Sequence, residues 1–470
     1  MRHANNFVAA LLTSVGLLAL VGCAHYQPRP LAAQQTAADF DTRTLADTGL
    51  KQFIEANLHR QLSTWPPASW DFNTLSLAAF YFHPDLDVAR AKWGVAQAGK
   101  VTAGERPNPT ASFAPGYNST VGPPWILGLS FDIPVETAGK RGYRIAQARN
   151  LSEVARLNIA TVAWQVRSRV RRNLLDLQAA RETEKLLKQQ QEVQAAIVKL
   201  LGGQLAAGAV TPFEVSQARI AHDTTRLALH DAERQAAEAL AQLTDALGVP
   251  SRELEGAKIA SDNSQPTLLP SPDVRRQALL NRADILGALA EYAAAQSTLQ
   301  LEIAKQYPDV HLGPGYQLDQ TANKWTLGLS VTLPVFNQNQ GAIAEAQARR
   351  VETAARFTAL QARVVGEIDR ATASYRAWLA KTATADALLA RLQKQEQATK
   401  EMIAAGELSK LALLTTQLEL NTGLLARLDT QLKARQALAA LEDAVQGPLP
   451  EAMQASPRTN SVEVKESTKP

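Results

Sequence analysis

Residues 325–334 read WTLGLSVTLP and residues 125–134 read WILGLSFDIP, the same ten positions placed 200 residues apart. Both alternate apolar with small or polar side chains at a period of two, the period of a strand and not of a helix. In the later copy Leu327, Leu329, Val331 and Leu333 share one face, and Gly328, Ser330 and Thr332 share the other. In the earlier copy Leu127, Leu129, Phe131 and Ile133 oppose Gly128, Ser130 and Asp132. A second alternating run precedes each: Ala111, Phe113, Pro115 and Tyr117, then Val310, Leu312, Pro314, Tyr316 and Leu318. The stretches between the runs, 118–124 and 319–324, are rich in turn-forming and polar residues, so each copy predicts one hairpin. A strand greasy on one face and small or polar on the other suits a soluble core or a membrane barrel with a wet interior. Alternation alone leaves both open.

The rest of the chain narrows the choice. Residues 1–22 carry a basic flank and an apolar run, which reads as a secretory signal. Its ending, Leu20-Val21-Gly22-Cys23, resembles a bacterial lipobox and so implies cleavage before Cys23 and lipid attachment there. Cys23 is the only cysteine in 470 residues, which excludes an internal disulfide. Ala24 follows it, where Asp would have resembled an inner-membrane retention signal; the outer membrane is the expected location. No later stretch has the roughly 18 uninterrupted apolar residues of a membrane helix, so a transmembrane role falls to strands. The 49 Lys+Arg against 45 Asp+Glu leave a formal net charge of +4 and no reason to invoke nucleic acid. Arg167, Arg169, Arg171 and Arg172 cluster, and a solvated helix face is the expected account.

Residues 23–72, with Pro28, Pro30, Pro66 and Pro67, read as a tether draped over the body. Helical periodicity begins near residue 73, with one helix predicted over 75–100 and a counterpart over 272–306. After each hairpin comes a proline, a glycine-containing corner and a very long helical stretch, about 142–205 and 341–405. Each could reach on the order of 90–100 Å at 1.5 Å per residue. The chain then turns at Gly208-Ala209-Val210-Thr211 and at Gly406-Glu407-Leu408-Ser409. Glycine ends one helix in a left-handed conformation, and Thr or Ser caps the next. Leu411, Leu414, Leu418, Leu425, Leu428 and Leu432, with Asn421 in the remaining slot, mark a heptad seam between antiparallel helices. Phe213, Ile220 and Leu227 are the looser counterpart in the first copy. The organisation is thus a first repeat over 73–250, a linker over 251–271, a second repeat over 272–448, and a polar tail over 449–470 expected to be disordered.

From about residue 75 to 447 the chain resembles the TolC-like outer-membrane channel proteins, the exit ducts of tripartite efflux pumps and type I secretion systems. The resemblance rests on the lipobox, the duplicated helix-hairpin-helix unit, and LGLSxxxPV at 127–135 and 327–335. GKRG at 139–142 and PVFNQNQGAIAEAQAR at 334–349 look like the heavy-metal-efflux branch. It implies a mainly α fold: a coiled-coil α-helical barrel in the periplasm joined to a transmembrane β-barrel shared between protomers, four strands per chain. Independently, four strands cannot close a barrel and open edges are not viable in lipid, so several chains must share one. Family membership makes that a homotrimer working with a periplasmic adaptor protein and an inner-membrane pump. Tyr117, Trp125, Tyr316 and Trp325 then become membrane-interface aromatics. The tip residues 208–211 and 406–409 become the adaptor-docking turns. Some members close the tip with Asp rings and an Arg-centred network. Here Ala412, Thr415 and Leu408 stand at those places, and only Glu214 keeps a carboxylate.

No phosphate-cradling loop, HExxH or cysteine pair is present in the sequence, so no catalytic group, resident metal or cofactor is expected. His222 and His230 are eight residues apart on one predicted helix, and solvent exposure is the expected account. His311 falls on the predicted lumen face. The expected function is a passive lipidated trimeric duct for drug, solvent or metal-ion efflux. Its alternatives are a type I protein-secretion channel and, from another class, a periplasmic coiled-coil adaptor or scaffold.

Overall fold

The computed structural model describes residues 25–260 and 273–447. The signal, Cys23, most of the linker and the tail lie outside them. The chain divides into two compact units, 1–43 and 44–470. In the first, α1 (Ala33–Asp41) carries no buried residue. The second holds α2 (Thr48–Leu58), α3 (Phe72–Phe82), α4 (Pro84–Gly104), β1 (Thr110–Tyr117), β2 (Trp125–Val135), α5 (Lys140–Ala206) and α6 (Pro212–Leu247). A 3-10 turn (Ser251–Leu254) follows, and then α7 (Asp273–Asn281), α8 (Ala283–Ala304), β3 (Val310–Asp319), β4 (Ala322–Val331), α9 (Gln340–Ala404) and α10 (Lys410–Val445). The long helices have 67 and 65 residues, about 100 Å each, and their return helices have 36 apiece.

Three expectations about helices need correcting. The helix predicted over 75–100 is two: His83 is extended because Pro84 follows it, and Pro84 then starts α4 where its missing donor costs nothing. The counterpart breaks at Arg282, with no proline, where the guanidinium holds Asp284 at 2.6 Å and the Ala444 carbonyl at 2.5 Å. The tether is built in from residue 44 onward. Leu45, Leu50, Ile54 and Trp70 are buried in the main core with Leu75, Val170, Leu174, Leu243 and Leu247. Trp70 also forms a parallel bridge to Ile259, with Trp70 N–H donating to the Lys258 carbonyl at 2.9 Å. Leu50, Phe53 and Ile54 follow helical spacing, a signal masked by the surrounding prolines.

The third correction concerns the first coiled-coil seam. Of the α10 heptad, Leu414 and Asn421 are buried and Leu411, Leu418, Leu425, Leu428 and Leu432 are half-buried, but Phe213, Ile220 and Leu227 of α6 are exposed. The buried stripe of α6 is Val215, Leu229 and Leu243 with Ala232, Ala239 and Ala246, a heptad offset by two residues. Two residues rotate a helix position by about 200°, so the apolar stripe at 213, 220 and 227 points away from α5.

The long helices order the rest. Toward the tips α5 packs on α6 and α10, and α9 on α10; toward the sheet α5 packs on α4 and α8, and α9 on α8. The lateral order is therefore α6–α5–α10–α9 at one end and α4–α5–α8–α9 at the other. Gly248 closes α6 at φ 75°, and a Cβ there would stand 2.9 Å from the Phe82 carbonyl oxygen, so the end of α6 docks on the end of α3 only through glycine.

Candidate membrane sheet and docking tips

The four strands form one antiparallel sheet in the order β1-β2-β3-β4. Pro115 lies on edge strand β1, where a missing donor is tolerated. Pro314 sits inside the sheet, and the β2–β3 ladder skips there, resuming at Ile133–Leu312 after Ser130–Gly315. The second turn is shorter than the predicted 319–324. Asp319 pairs directly with Ala322, Gln320 takes φ 60°, and Asn323 and Lys324 belong to β4, where the Lys324 ammonium reaches Asp319 at 2.5 Å. Polar composition there marks the end of the strands and not a loop.

Register aligns the faces across all four strands. Phe113, Leu129, Tyr316 and Trp325 stand side by side in one row, and Ser112, Ser130, Gly315 and Thr326 in the next. Leu127, Leu129, Phe131, Ile133, Leu327, Leu329 and Val331 thus share one face with Tyr117, Trp125, Tyr316 and Trp325, and Leu333 follows just past β4. That face is open: Leu327, Leu329 and Trp325 are 77%, 68% and 80% exposed. Each hairpin carries an aromatic pair beside its turn, Tyr117 with Trp125 at 5.2 Å and Tyr316 with Trp325 at 4.8 Å between ring centroids. On the opposite face His311 Nδ1 lies 3.0 Å from Asp132. A row of exposed leucines and aromatics this wide is far from the scattered apolar residues of an ordinary soluble surface.

The sheet is fixed to the rods by a collar of charged side chains that includes Lys140 and Arg141 of the GKRG stretch. Lys140 Nζ meets Asp309 at 2.8 Å, and the same carboxylate accepts from Thr137 N–H at 2.9 Å. Arg141 donates to the Gly104 carbonyl at 2.7 Å, and Arg144 pairs with Glu136 at 2.6 Å while donating to the carbonyls of Ala103 and Glu105. The two hairpins thus join the ends of α4 and α5 through charged side chains.

At the other end of the rods both turns adopt the same backbone. Gly208 and Gly406 take φ 73° and 79°. Ala209 N–H donates to Gln204 O and Gly208 N–H to Leu205 O, the two bonds of a Schellman motif; Glu407 to Met402 and Gly406 to Ile403 repeat it. Thr211 then caps α6 in a reciprocal box with Glu214, whose Oε2 accepts from Thr211 N–H at 2.7 Å. The Thr211 backbone N–H, and then its hydroxyl, hold the Glu214 carboxyl below its ordinary pKa. Ser409 caps α10 alone, because Ala412 stands where Glu214 stands in the first turn. Ala209, Thr211, Glu407, Leu408 and Ser409 are exposed and Val210 is half-buried.

The expectation of a solvated arginine face is wrong for its central member. Arg171 is buried against Glu442 of α10, with Arg167 also 3.8 Å from that carboxylate and stacked over Phe72 and Trp164. The signal available in the sequence was Glu442 itself, a charge set among Leu438, Leu441 and Val445. The next residue, Asp443, accepts from the Ser168 hydroxyl, and burial pushes its carboxyl up despite that bond and the nearby arginines. His222 and His230 are not brought together; each meets its own neighbour, Asp223 and Glu233. Among the described residues no helix is long and apolar enough to cross a membrane.

These features coincide with one family. The chain belongs to the outer membrane efflux protein family, whose model matches residues 82–249 and 274–446. The cobalt-zinc-cadmium resistance protein CzcC of Cupriavidus metallidurans is 28% identical over 212 residues, 45% of this chain and 50% of that one. The pyoverdine export outer membrane protein OpmQ of Pseudomonas aeruginosa is 28% identical over 226 residues, 45% of this chain and 46% of that one. The chain thus matches about half the length of these curated relatives. Among solved structures, the outer-membrane channel OprN superposes with a TM-score of 0.68 at 18% identity, covering 91% of this chain and 99% of that one. At that identity the likeness is one of fold.

Proposed function

We propose that this chain is the outer-membrane exit duct of a tripartite efflux pump: a passive trimer, anchored by lipid at Cys23, that joins a periplasmic adaptor and an inner-membrane transporter. The observation that carries this reading is the sheet, apolar across one whole face, small and polar across the other, and unpaired at β1 and β4. In lipid an unpaired edge costs several kcal/mol per orphaned group, so the edges must meet copies of themselves. Three copies give twelve strands, a permitted even number, with the apolar face in lipid and the polar face around the lumen.

The helices favour the same ring. The edge helices are α4 and α6 on one side and α9 on the other. Their outward residues include Val88, Val95 and Val101, then Phe213, Ile220 and Leu227, and on α9 Val351 and Leu388, all exposed. Val88 with Val95, and Phe213 with Ile220 and Leu227, stand seven residues apart, the spacing of a helix seam still lacking its neighbour. A lone coiled-coil scaffold would leave the two hairpins without a role. The two relatives, one named for cobalt-zinc-cadmium resistance and the other for pyoverdine export, differ in role at equal identity, which supports placing selectivity in the transporter. This chain would supply a conduit for small solutes or ions.

The tips test the docking role. Gly208→Val with Gly406→Val forces two side chains into left-handed turns at about 1 kcal/mol or more each, small against the packing of a trimer. Beyond the adjacent residues no atom lies within 4 Å of a Cβ at either position, so the Cβ itself meets open space. The expected outcome is normal outer-membrane abundance with lost export and lost adaptor cross-linking, because a displaced turn loses its contacts together. Normal export at wild-type abundance would remove the docking role from these turns.

A further inference from the structure

We propose that the ring closes in one defined register, β4 of each copy running antiparallel to β1 of the next with Leu333 opposite Phe113, Thr332 opposite Ala114 and Leu329 opposite Tyr117. The inference rests on the ring reading above and adds which residues meet.

The internal junction supplies the template. Within one chain β2 meets β3 as a second hairpin meets a first: Val135 pairs with Val310, Ile133 with Leu312, Ser130 with Gly315 and Leu129 with Tyr316. The matching motifs make β4 equivalent to β2 at a spacing of 200, and β1 equivalent to β3 at a spacing of 199. Moved by those spacings, the four pairs become Val335 with Ala111, Leu333 with Phe113, Ser330 with Gly116 and Leu329 with Tyr117. Each keeps the character of its template: small aliphatic, large apolar, Ser with Gly, Leu with Tyr.

Two further observations agree. On β1 and on β4 the apolar face is carried by the odd-numbered residues, and this register sets odd against odd across the seam. A slip by one residue would turn Leu329 or Phe113 toward the lumen, the error that a two-faced sheet excludes most strongly. The lengths also fit. β2 is paired as far as Val135, whereas β4 leaves its ladder at Val331, four positions short of the equivalent point. The left-over apolar residues, Leu333 and Val335, are 73% and 67% exposed. In the proposed register they lie opposite Phe113 and Ala111 at the start of β1 of the neighbour, whose outer edge is unpaired in the single chain.

The experiment is oxidative cross-linking of the full-length protein in outer membranes. Ala114→Cys with Thr332→Cys places two thiols opposite each other on the polar face. Two strands separate β1 from β4 within a chain, about 14 Å, so a disulfide with its Cα reach of roughly 7 Å can form only between copies. Two slipped pairs serve as comparison: Ala114→Cys with Ser330→Cys, and Gly116→Cys with Thr332→Cys. Each single variant reports on folding and on any link made through Cys23. The expected result is loss of the monomer band, with covalent closure of the whole ring, for 114 with 332 and retention of monomer for the slipped pairs. An oligomer of unchanged mass that links best through a slipped pair, or through none of the three, overturns the register while leaving the ring. A monomer in the membrane, with no link in any variant, overturns both.

Discussion

Glu442→Ala is expected to lower stability by about 3–5 kcal/mol, the usual cost of breaking a buried ion pair by removing one partner. Arg171 is 6% exposed and Glu442 3% exposed, so water cannot replace the lost carboxylate, and Arg167 loses its contact at the same time. The same reasoning predicts rescue. Arg171→Leu combined with Glu442→Leu removes both charges and should recover most of the loss, since an apolar pair of similar volume serves as well as a buried salt bridge. The adjacent Asp443→Asn should be neutral or mildly stabilising at neutral pH. Burial raises the Asp443 pKa in the folded state, so its contribution is full below the ordinary carboxylate value of about 3.9 and is lost as pH rises through the raised one. Heat or urea unfolding of the extracted protein, followed by the loss of folded oligomer, separates the variants. Equal midpoints for Glu442→Ala and Asp443→Asn would contradict the assignment of the buried pair.

The second large effect belongs to the sheet. Leu329→Arg places a charge on the face assigned to lipid, at about 2–4 kcal/mol near the bilayer midplane and less toward the interfaces, repeated in every copy of the ring. Ser330→Arg, one residue away, points into the polar face and should narrow the lumen while sparing assembly. Outer-membrane oligomer yield is the readout. Yield should collapse for Leu329→Arg and hold for Ser330→Arg; equal tolerance of both would remove the assignment of faces.

How much of this was legible in the sequence follows from which signals are local. Strand alternation and helix stops depend on a residue and its near neighbours, so the hairpins, the long helices and the glycine turns could be read directly. Even there, polarity misled where a strand outruns its apolar stretch, as Asn323 and Lys324 do. Signals that need a partner were lost. The Arg171–Glu442 pair joins residues 271 apart in the chain, and Lys140–Asp309 joins residues 169 apart. Nothing near either arginine or lysine announces its partner. The stripe of Phe213, Ile220 and Leu227 reads in the sequence as the seam of the first helical hairpin, but the structure leaves it exposed and packs Val215, Leu229 and Leu243 there instead. Periodicity tells that a face needs covering, not by which helix. The segment after residue 44 reads as a tether because its prolines mask the short helical spacing of Leu50, Phe53 and Ile54, which the core buries or half-buries.

In the proposed duct one face of the sheet meets lipid and the other meets water. The most direct measurement is the reactivity of single cysteines placed in turn at residues 327–333 of the full-length protein in outer-membrane vesicles, probed with a membrane-impermeant thiol reagent and with a lipid-dissolved one. Strict alternation is expected: positions 327, 329, 331 and 333 labelled from the lipid and protected from the aqueous reagent, positions 328, 330 and 332 the reverse. Aqueous labelling at every position, with no period of two, would contradict it.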